Sequence, residues 1–289
     1  MDRVTLGVIG GSGVYDIESL ADVKEMRIKT PFGDPSDTLV VGTLAGLRVA
    51  FLPRHGRGHH ILPSELNARA NIYALKSLGV AYVVAISACG SMRDELAPRH
   101  IVIPDQIFDR TSGRTSTFFG KGIVAHISFD EPYCPTLSDM VYAAVKKTGA
   151  TVHRGGTSLV IEGPQFSTKA ESRIYRQWGV DIIGMTAVPE AKLAREAELC
   201  YACMAHITDY DVWHSTAEPV TLAMLTENLR ANAAVTKEAL TYLAPLIAEH
   251  KHRTCKCASA LKNAIVTQPD RIPESVKQEL GLLIGKYVR

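Results

Sequence analysis

Leu199-Cys200-Tyr201-Ala202-Cys203-Met204-Ala205-His206-Ile207 runs directly into Thr208-Asp209-Tyr210-Asp211-Val212-Trp213. The first segment is an almost unbroken apolar run of strand length, the pattern of a strand buried on both faces of an α/β sheet. The second carries two carboxylates at i and i+2. Ligands of such sheets dock just past the carboxyl ends of parallel strands, and alternate residues of an extended chain point the same way. Asp209 and Asp211 are therefore predicted to reach one ligand together. Taken alone, the same pair reads as an ordinary strand-to-loop turn, because Asp favours turns and caps.

Outward from this strand, apolar periods alternate between strand-like and helix-like, predicting an α/β fold with a mixed central β-sheet flanked by helices. Strands are predicted over Val4–Ile9, Val80–Ile86, Ile101–Ile103, Gly156–Glu162 and Asp181–Met185, with an antiparallel hairpin of Leu39–Thr43 and Leu47–Leu52. Helices are predicted over Ser64–Leu78 with Ser64 as N-cap, Leu137–Lys147, Lys169–Trp178 and Pro189–Ala197. Leu222, Leu225, Leu229, Ala233, Leu240 and Leu243 mark a long amphipathic helix. Pro104–Tyr133 has no period and is expected to be a long loop. With no repeat or linker, the expected organisation is residues 1–250 as one domain, with 251–289 as its helical C-terminal extension.

A chain of 289 residues with 46% hydrophobic and 21% charged content is ordinary for a globular protein. Its formal net charge of +2 and lack of basic runs argue against a nucleic-acid partner. No apolar run approaches the ~18 residues of a membrane span, and Val4 follows the amino terminus too closely for a signal peptide, so a cytoplasmic protein is expected. Six cysteines are too few for a disulfide scaffold. Cys200-x-x-Cys203 has redox-motif spacing but lies in an apolar run, where buried inert thiols are expected. Cys255-Lys256-Cys257 lies in a polar segment and is expected to be exposed. It could pair internally or with Cys200 or Cys203; a metal site is not expected, because no second ligand pair stands at a fixed spacing.

Anion-binding groups recur at the ends of other strands. Gly10-Gly11-Ser12-Gly13 follows the first strand, but Asp16 stands where a dinucleotide fingerprint needs its third glycine. A simple phosphate site remains, formed by the Ser12 hydroxyl and nearby amides. Arg54-His55-Gly56-Arg57-Gly58-His59-His60 reads as a flexible cationic loop after the hairpin. Ser87 and Thr186 place hydroxyls at the ends of two further strands.

These segments, together with Thr30-Pro31-Phe32-Gly33, Ala88-Cys89-Gly90-Ser91, Ile161-Glu162-Gly163-Pro164-Gln165-Phe166-Ser167 and Met185-Thr186, resemble the 5′-methylthioadenosine phosphorylases of the purine nucleoside phosphorylase superfamily. The resemblance covers nearly all of the chain up to about residue 245 and rests on the order and spacing of motifs that are individually weak. It implies a purine nucleoside phosphorylase-like single domain, with inorganic phosphate as co-substrate and no metal or organic cofactor. The implied reaction cleaves the N-glycosidic bond of 5′-methylthioadenosine to adenine and 5-methylthioribose 1-phosphate.

By match to the family, Ser12, Arg54, His55, Ser87, Ala88 and Thr186 would hold phosphate, Phe166 would lie against the purine and Met185 against the ribose. Asp209, if buried and raised in pKa, would protonate N7 of the departing base, and Asp211 would accept from the 6-amino group. A 6-oxo group would leave that acceptor unpaired, so adenine is favoured over hypoxanthine and guanine. Leu222 and Leu225 would offer an apolar surface to the methylthio group. Thr226 departs from the family's apolar residue and leaves room for 5′-deoxyadenosine or adenosine; a broader purine nucleoside phosphorylase acting on adenosine or inosine is the alternative. His126 matches a residue that reaches a neighbouring subunit's ribosyl site, implying a homotrimer or a dimer of trimers. The Cys-x-Cys resembles tails of certain disulfide-bearing relatives.

Overall fold

The computed structural model describes residues 3–11, 18–214, 222–250 and 253–288, and the side chains of residues 222–231 lie outside that description. Along the described chain the elements are β1 (Leu6–Gly10), β2 (Ala21–Met26), β3 (Leu39–Leu44), β4 (Leu47–Pro53), α1 (Ala68–Ser77), β5 (Tyr82–Ser91), β6 (Ile101–Ile103), β7 (Gln106–Arg110), α2 (Pro135–Lys147), β8 (Val152–Arg154), β9 (Thr157–Ile161), α3 (Lys169–Gln177), β10 (Ile182–Gly184), α4 (Ala187–Glu196), β11 (Cys200–Asp209) and α5 (Leu222–Glu249). Two short helices, α6 (Glu274–Glu279) and α7 (Gly281–Ile284), close the described chain.

All eleven described strands join one mixed sheet. Its centre is parallel: β4 pairs with β1, β1 with β5, and β5 with β11. The β3–β4 hairpin and β2 extend one side in antiparallel fashion. On the other, the last residues of β5 pair antiparallel with β10, which leads through β9 to β7. β5 is thus a branch point with three neighbours.

Successive residues of the central strands enter two different apolar clusters. Ile9, Val83, Ala85, Tyr201, Cys203 and Ala205 pack with Ile72 and Leu75 of α1 and Leu193 of α4. Leu6, Val8, Tyr82, Val84, Ala202 and Met204 pack on the opposite face with Leu137 and Val141 of α2 and Leu240 and Leu243 of α5. A strand covered on both faces needs apolar side chains at every position, which is why these strands read as continuous runs. Leu261, Ile272, Val276, Leu280 and Ile284 of the C-terminal segment join the first cluster, so that segment completes the same core.

Three expectations are corrected. The helix predicted from Ser64 begins at Ala68: Asn67 is the N-cap, accepting from the Ala70 amide, and Pro63–Glu65 forms a separate 3₁₀ turn. The expected loop Pro104–Tyr133 contains β7, which pairs with β9. β7 and β2 are mostly exposed edge strands, so neither carries the apolar alternation that would reveal it. Ser87 lies inside β5 rather than at a strand end, because that strand continues to Ser91. No described helix is long and apolar enough to cross a membrane.

Candidate active site

The pairing of β1 with β5 ends at Ile9 and Ala85, while β5 runs on to Ser91. Beyond Ala85 the strand loses its neighbour on that side, and Ala88 is exposed although it belongs to a central strand. This exposed stretch lies at the carboxyl ends of the parallel strands, the position where ligands of α/β sheets dock, and Arg54, Ser87 and Asp209 lie along it.

Arg54 follows β4, and its amide donates to the Gly10 carbonyl at 2.9 Å. Its guanidinium is 3% exposed and grips the carboxylate of Glu190 bidentately, Nε to Oε1 at 2.6 Å and Nη2 to Oε2 at 3.1 Å. Further bonds reach the carbonyls of Ile86 (Nη1, 2.7 Å) and Ile9 (Nη2, 3.3 Å). Burial works against the positive charge, but Glu190 more than offsets it and holds the guanidinium pKa above its ordinary value. Four of the five N–H donors of the fork are thus committed to the protein. Arg54 is a fixed, buried cation just past the end of β4.

His55 departs from the cationic-loop expectation. Burial first, then the charge of Arg54, pushes its pKa down to about 4, so the ring is neutral at pH 7. Its Nδ1 faces the Ile61 carbonyl at 2.8 Å, which requires the proton on Nδ1 and leaves Nε2 as an acceptor. Arg57 points into solvent and pairs with Glu25 at 2.7 Å. The positive charge of the loop is therefore split, with only Arg54 buried.

Ser87 and Thr186 converge, with Oγ and Oγ1 3.3 Å apart. Thr186 is the N-cap of α4, but its hydroxyl makes no capping bond, so that oxygen remains turned toward Ser87. Val188 is extended within the range assigned to α4, and the helix proper starts at Pro189, as the sequence predicts.

The aspartate pair is assembled differently from the strand-alternation argument. A bulge at Thr208 shifts the register so that Ile207 faces Cys89 and Asp209 faces Gly90. The chain then turns, with Asp211 at φ +51° and its amide donating to Asp209 Oδ1 at 2.7 Å. The turn that the pair suggests on its own is real, and it is what brings the carboxylates together. Thr208 Oγ1 donates to the other oxygen of Asp209 at 2.7 Å, and the Ser172 hydroxyl donates to Asp211 Oδ2. Asp211 is the more buried of the two. Desolvation raises its pKa despite the Ser172 bond, and the nearby charges of Asp209 and Glu171 add to the rise.

Space for the pair comes from Gly90. A Cβ there would stand 3.0 Å from Ile183 Cγ2, 3.1 Å from Asp209 Oδ1 and 3.4 Å from Asp211 Cβ. Beyond the turn, Trp213 Nε1 donates to the Ser91 carbonyl at 2.6 Å, and the Arg176 guanidinium lies 3.5 Å from its ring centroid. The turn is therefore clamped to the end of β5.

Met185 is half-buried and lies against Gly163, where φ is +68° and a Cβ would meet the Met185 sulfur at 2.5 Å. Phe166, farther along that loop, is 56% exposed, an apolar ring free to cover a ligand. His126 is exposed, its amide bonded to the Ala264 carbonyl on the C-terminal segment. Ser12 lies outside the described residues. Leu222 and Leu225 begin α5, and their side chains are likewise outside the description.

Sequence reasoning missed the supporting residues. Glu190 is 1% exposed and also accepts from the Tyr201 hydroxyl at 3.0 Å; its only sequence signal is an acid inside the apolar run Ala187-Val188-Pro189-Glu190-Ala191. Ser172 carries no signal at all on the charged helix α3. Arg114 bonds the Glu162 carboxylate (Nε to Oε1, 3.1 Å), the Met185 carbonyl (Nη1, 2.6 Å) and the Val188 carbonyl (Nη1, 2.9 Å), latching the Phe166 loop to the start of α4. A cavity of about 310 Å³, lined in part by Phe32, Asn67, Arg69, Arg114 and Pro189, lies beside this latch rather than over the aspartates.

The chain matches known proteins along its whole length. The phosphorylase superfamily profile matches residues 5–244. The S-methyl-5′-thioadenosine phosphorylase of Geobacter sulfurreducens is 53% identical over 289 residues, covering 100% of both chains. That of Chloroflexus aurantiacus is 54% identical over 288 residues, covering 99% of each. Among solved structures, a methylthioadenosine phosphorylase from an Antarctic soil metagenomic library superposes with a TM-score of 0.94 at 44% identity, covering 98% of this chain and 99% of that one. The Schistosoma mansoni methylthioadenosine phosphorylase in complex with adenine gives a TM-score of 0.83 at 36% identity, covering 98% of each. The chain belongs to the phosphorylase superfamily and, within it, to the S-methyl-5′-thioadenosine phosphorylase family.

Proposed function

We propose that the protein is a pentosyltransferase that cleaves 5′-methylthioadenosine with phosphate, releasing adenine and 5-methylthioribose 1-phosphate. A phosphate oxygen forms a bond to the anomeric carbon as the C1′–N9 bond breaks, its electron pair leaves with the purine, and a proton reaches N7. The observation that carries the reading is that both kinds of group, anion-binding and acidic, sit along one strand, β5. Arg54, fixed by Glu190, bonds the Ile86 carbonyl next to Ser87, whose hydroxyl meets that of Thr186, and Asp209 is in register with Gly90 of the same strand.

In this reading Arg54, Ser87, Thr186, the Ala88 stretch and Ser12 hold phosphate. Neutral His55 accepts the hydrogen of a protonated phosphate oxygen at Nε2. Phe166 covers the purine and Met185 the ribose. Asp209 faces N7 and Asp211 faces the 6-amino group. Asp211 is buried, and desolvation raises its pKa. The reaction asks for no metal or organic cofactor. It fits a cytoplasmic role in purine and methionine salvage, with Leu222 and Leu225 at the methylthio end and His126 offered to a neighbouring subunit of a homotrimer.

Thr226 beside Leu225 favours a second reading in which adenosine or inosine is also accepted. Turnover of methylthioadenosine, adenosine and inosine at equal phosphate separates the two. Methylthioadenosine is expected to be fastest and inosine slowest by at least ~10²-fold, as for a site whose polar group is left unpaired. Faster cleavage of inosine would overturn the Asp211 assignment.

A further inference from the structure

At the opposite end of β11 from Asp209, four cysteines from three separate parts of the chain meet. Cys200 is the first residue of β11, and Cys134 is the N-cap of α2, its amide donating to the Tyr201 carbonyl at 2.7 Å. Cys255 and Cys257 follow α5. All four sulfurs lie within 4.8 Å of one another, with Cys134, Cys200 and Cys257 buried and Cys255 half-buried. The expectation that Cys255-x-Cys257 is exposed is therefore corrected: Cys257 is 2% exposed and packs in the same apolar cluster as Cys134 and Cys200. Cys203, the other half of the apparent redox motif, points to the opposite face and joins the other cluster.

In the sequence Cys255-x-Cys257 has no usable second pair, since Cys203 of Cys200-x-x-Cys203 faces the other cluster. The fold supplies it, because the start of α2 is bonded to β11 and so sets Cys134 beside Cys200. Four thiolates at zinc–sulfur distances of about 2.3 Å form a tetrahedron whose sulfurs are about 3.8 Å apart, within the spread observed here. An all-sulfur set suits a soft or borderline cation and excludes magnesium or calcium. Four protein ligands leave no open position for substrate or water, which marks a structural site rather than a catalytic one.

We propose that Cys134, Cys200, Cys255 and Cys257 bind one zinc ion that fastens the C-terminal segment to the sheet. Binding converts four thiols to thiolates, releases four protons and leaves a tetrathiolate of formal charge −2, with no change of oxidation state. The site ties α2, β11 and the segment that carries Leu261, Ile272 and Val276 into the core. It stands about 30 Å along β11 from Asp209, at ~3.3 Å per residue, so it bears on stability and not on the reacting atoms.

The test is metal analysis of the full-length protein purified under reducing conditions from cells supplied with zinc. One zinc per chain is expected after gel filtration, released by a mercurial thiol reagent, with cobalt(II) taking its place to give thiolate-to-metal charge-transfer absorption. The double variant Cys255→Ser/Cys257→Ser should lose the zinc and melt at least about 5 °C lower, with kcat and KM for methylthioadenosine within about twofold at 25 °C. Cys203→Ser should keep it. If the double variant does not fold, the zinc content and cobalt spectrum of the unaltered chain decide the matter. Metal-free protein with all these thiols titratable, a mass about 4 Da low from two disulfides, or zinc retained by the double variant would each overturn the proposal.

Discussion

The surroundings of Arg54 and those of Asp209 are built by opposite means. Arg54 owes its position to a partner 136 residues away, a buried ion pair sealed by backbone carbonyls and by Tyr201. Asp209 and Asp211 owe theirs to local geometry: a bulge, a turn in which one residue's amide bonds the other's carboxylate, and a glycine that leaves room. The first arrangement fixes a charge permanently. The second sets a buried carboxylate beside a half-buried one within a single turn. A reaction that binds an anion and then protonates a leaving group needs both.

The comparison breaks most severely at Arg54. Arg54→Met leaves the Glu190 carboxylate buried without its counter-charge, held only by Tyr201, so a stability loss of about 3–5 kcal/mol is expected by denaturant unfolding, together with loss of phosphate-dependent turnover. A variant of near-normal stability would mean that the pair does not anchor this side. Next in size, Asp209→Asn should keep the fold and lower kcat by ~10²–10⁴-fold, the range for loss of an acid–base group. Full turnover would remove Asp209 from the chemistry.

Much of the fold was legible because β1, β5 and β11 are covered on both faces and so are apolar at nearly every position. Edge strands β2 and β7 escaped because exposure removes that pattern. The site was legible where a side chain meets the ligand and obscure where it meets another side chain. Asp209, Arg54 and Thr186 announce themselves at strand ends, whereas Glu190 and Ser172 matter only through partners that the chain's path brings near. Cys134 and Cys200 were obscure for the same reason, being 66 residues apart yet adjacent in space.

Ser172→Ala sharpens the Asp209 side more gently. The Ser172 bond lowers the Asp211 pKa against the rise caused by burial, so its loss should move the ionisation seen in the kcat/KM–pH profile to higher pH, at a stability cost of about 1 kcal/mol. An unchanged profile would separate Asp211 from the transferable proton. The smallest effect belongs to the Arg54 side, through His55. Its folded pKa of about 4 lies below the ordinary 6.5, so its contribution to stability is complete above pH 6.5 and lost as pH falls toward 4. Buried His206, also pushed down to about 4 by desolvation, acts in the same window. Melting temperature should fall across that interval, and less so in His55→Gln; an identical fall in the variant would show that His55 is not held neutral by the fold.

The most direct test of phosphorolysis is phosphorus NMR of the reaction with methylthioadenosine. A sugar 1-phosphate signal should grow as inorganic phosphate falls, matched mole for mole by adenine measured by liquid chromatography, and cleavage should cease when phosphate is omitted. Cleavage without phosphate, giving the free sugar, would contradict the assignment.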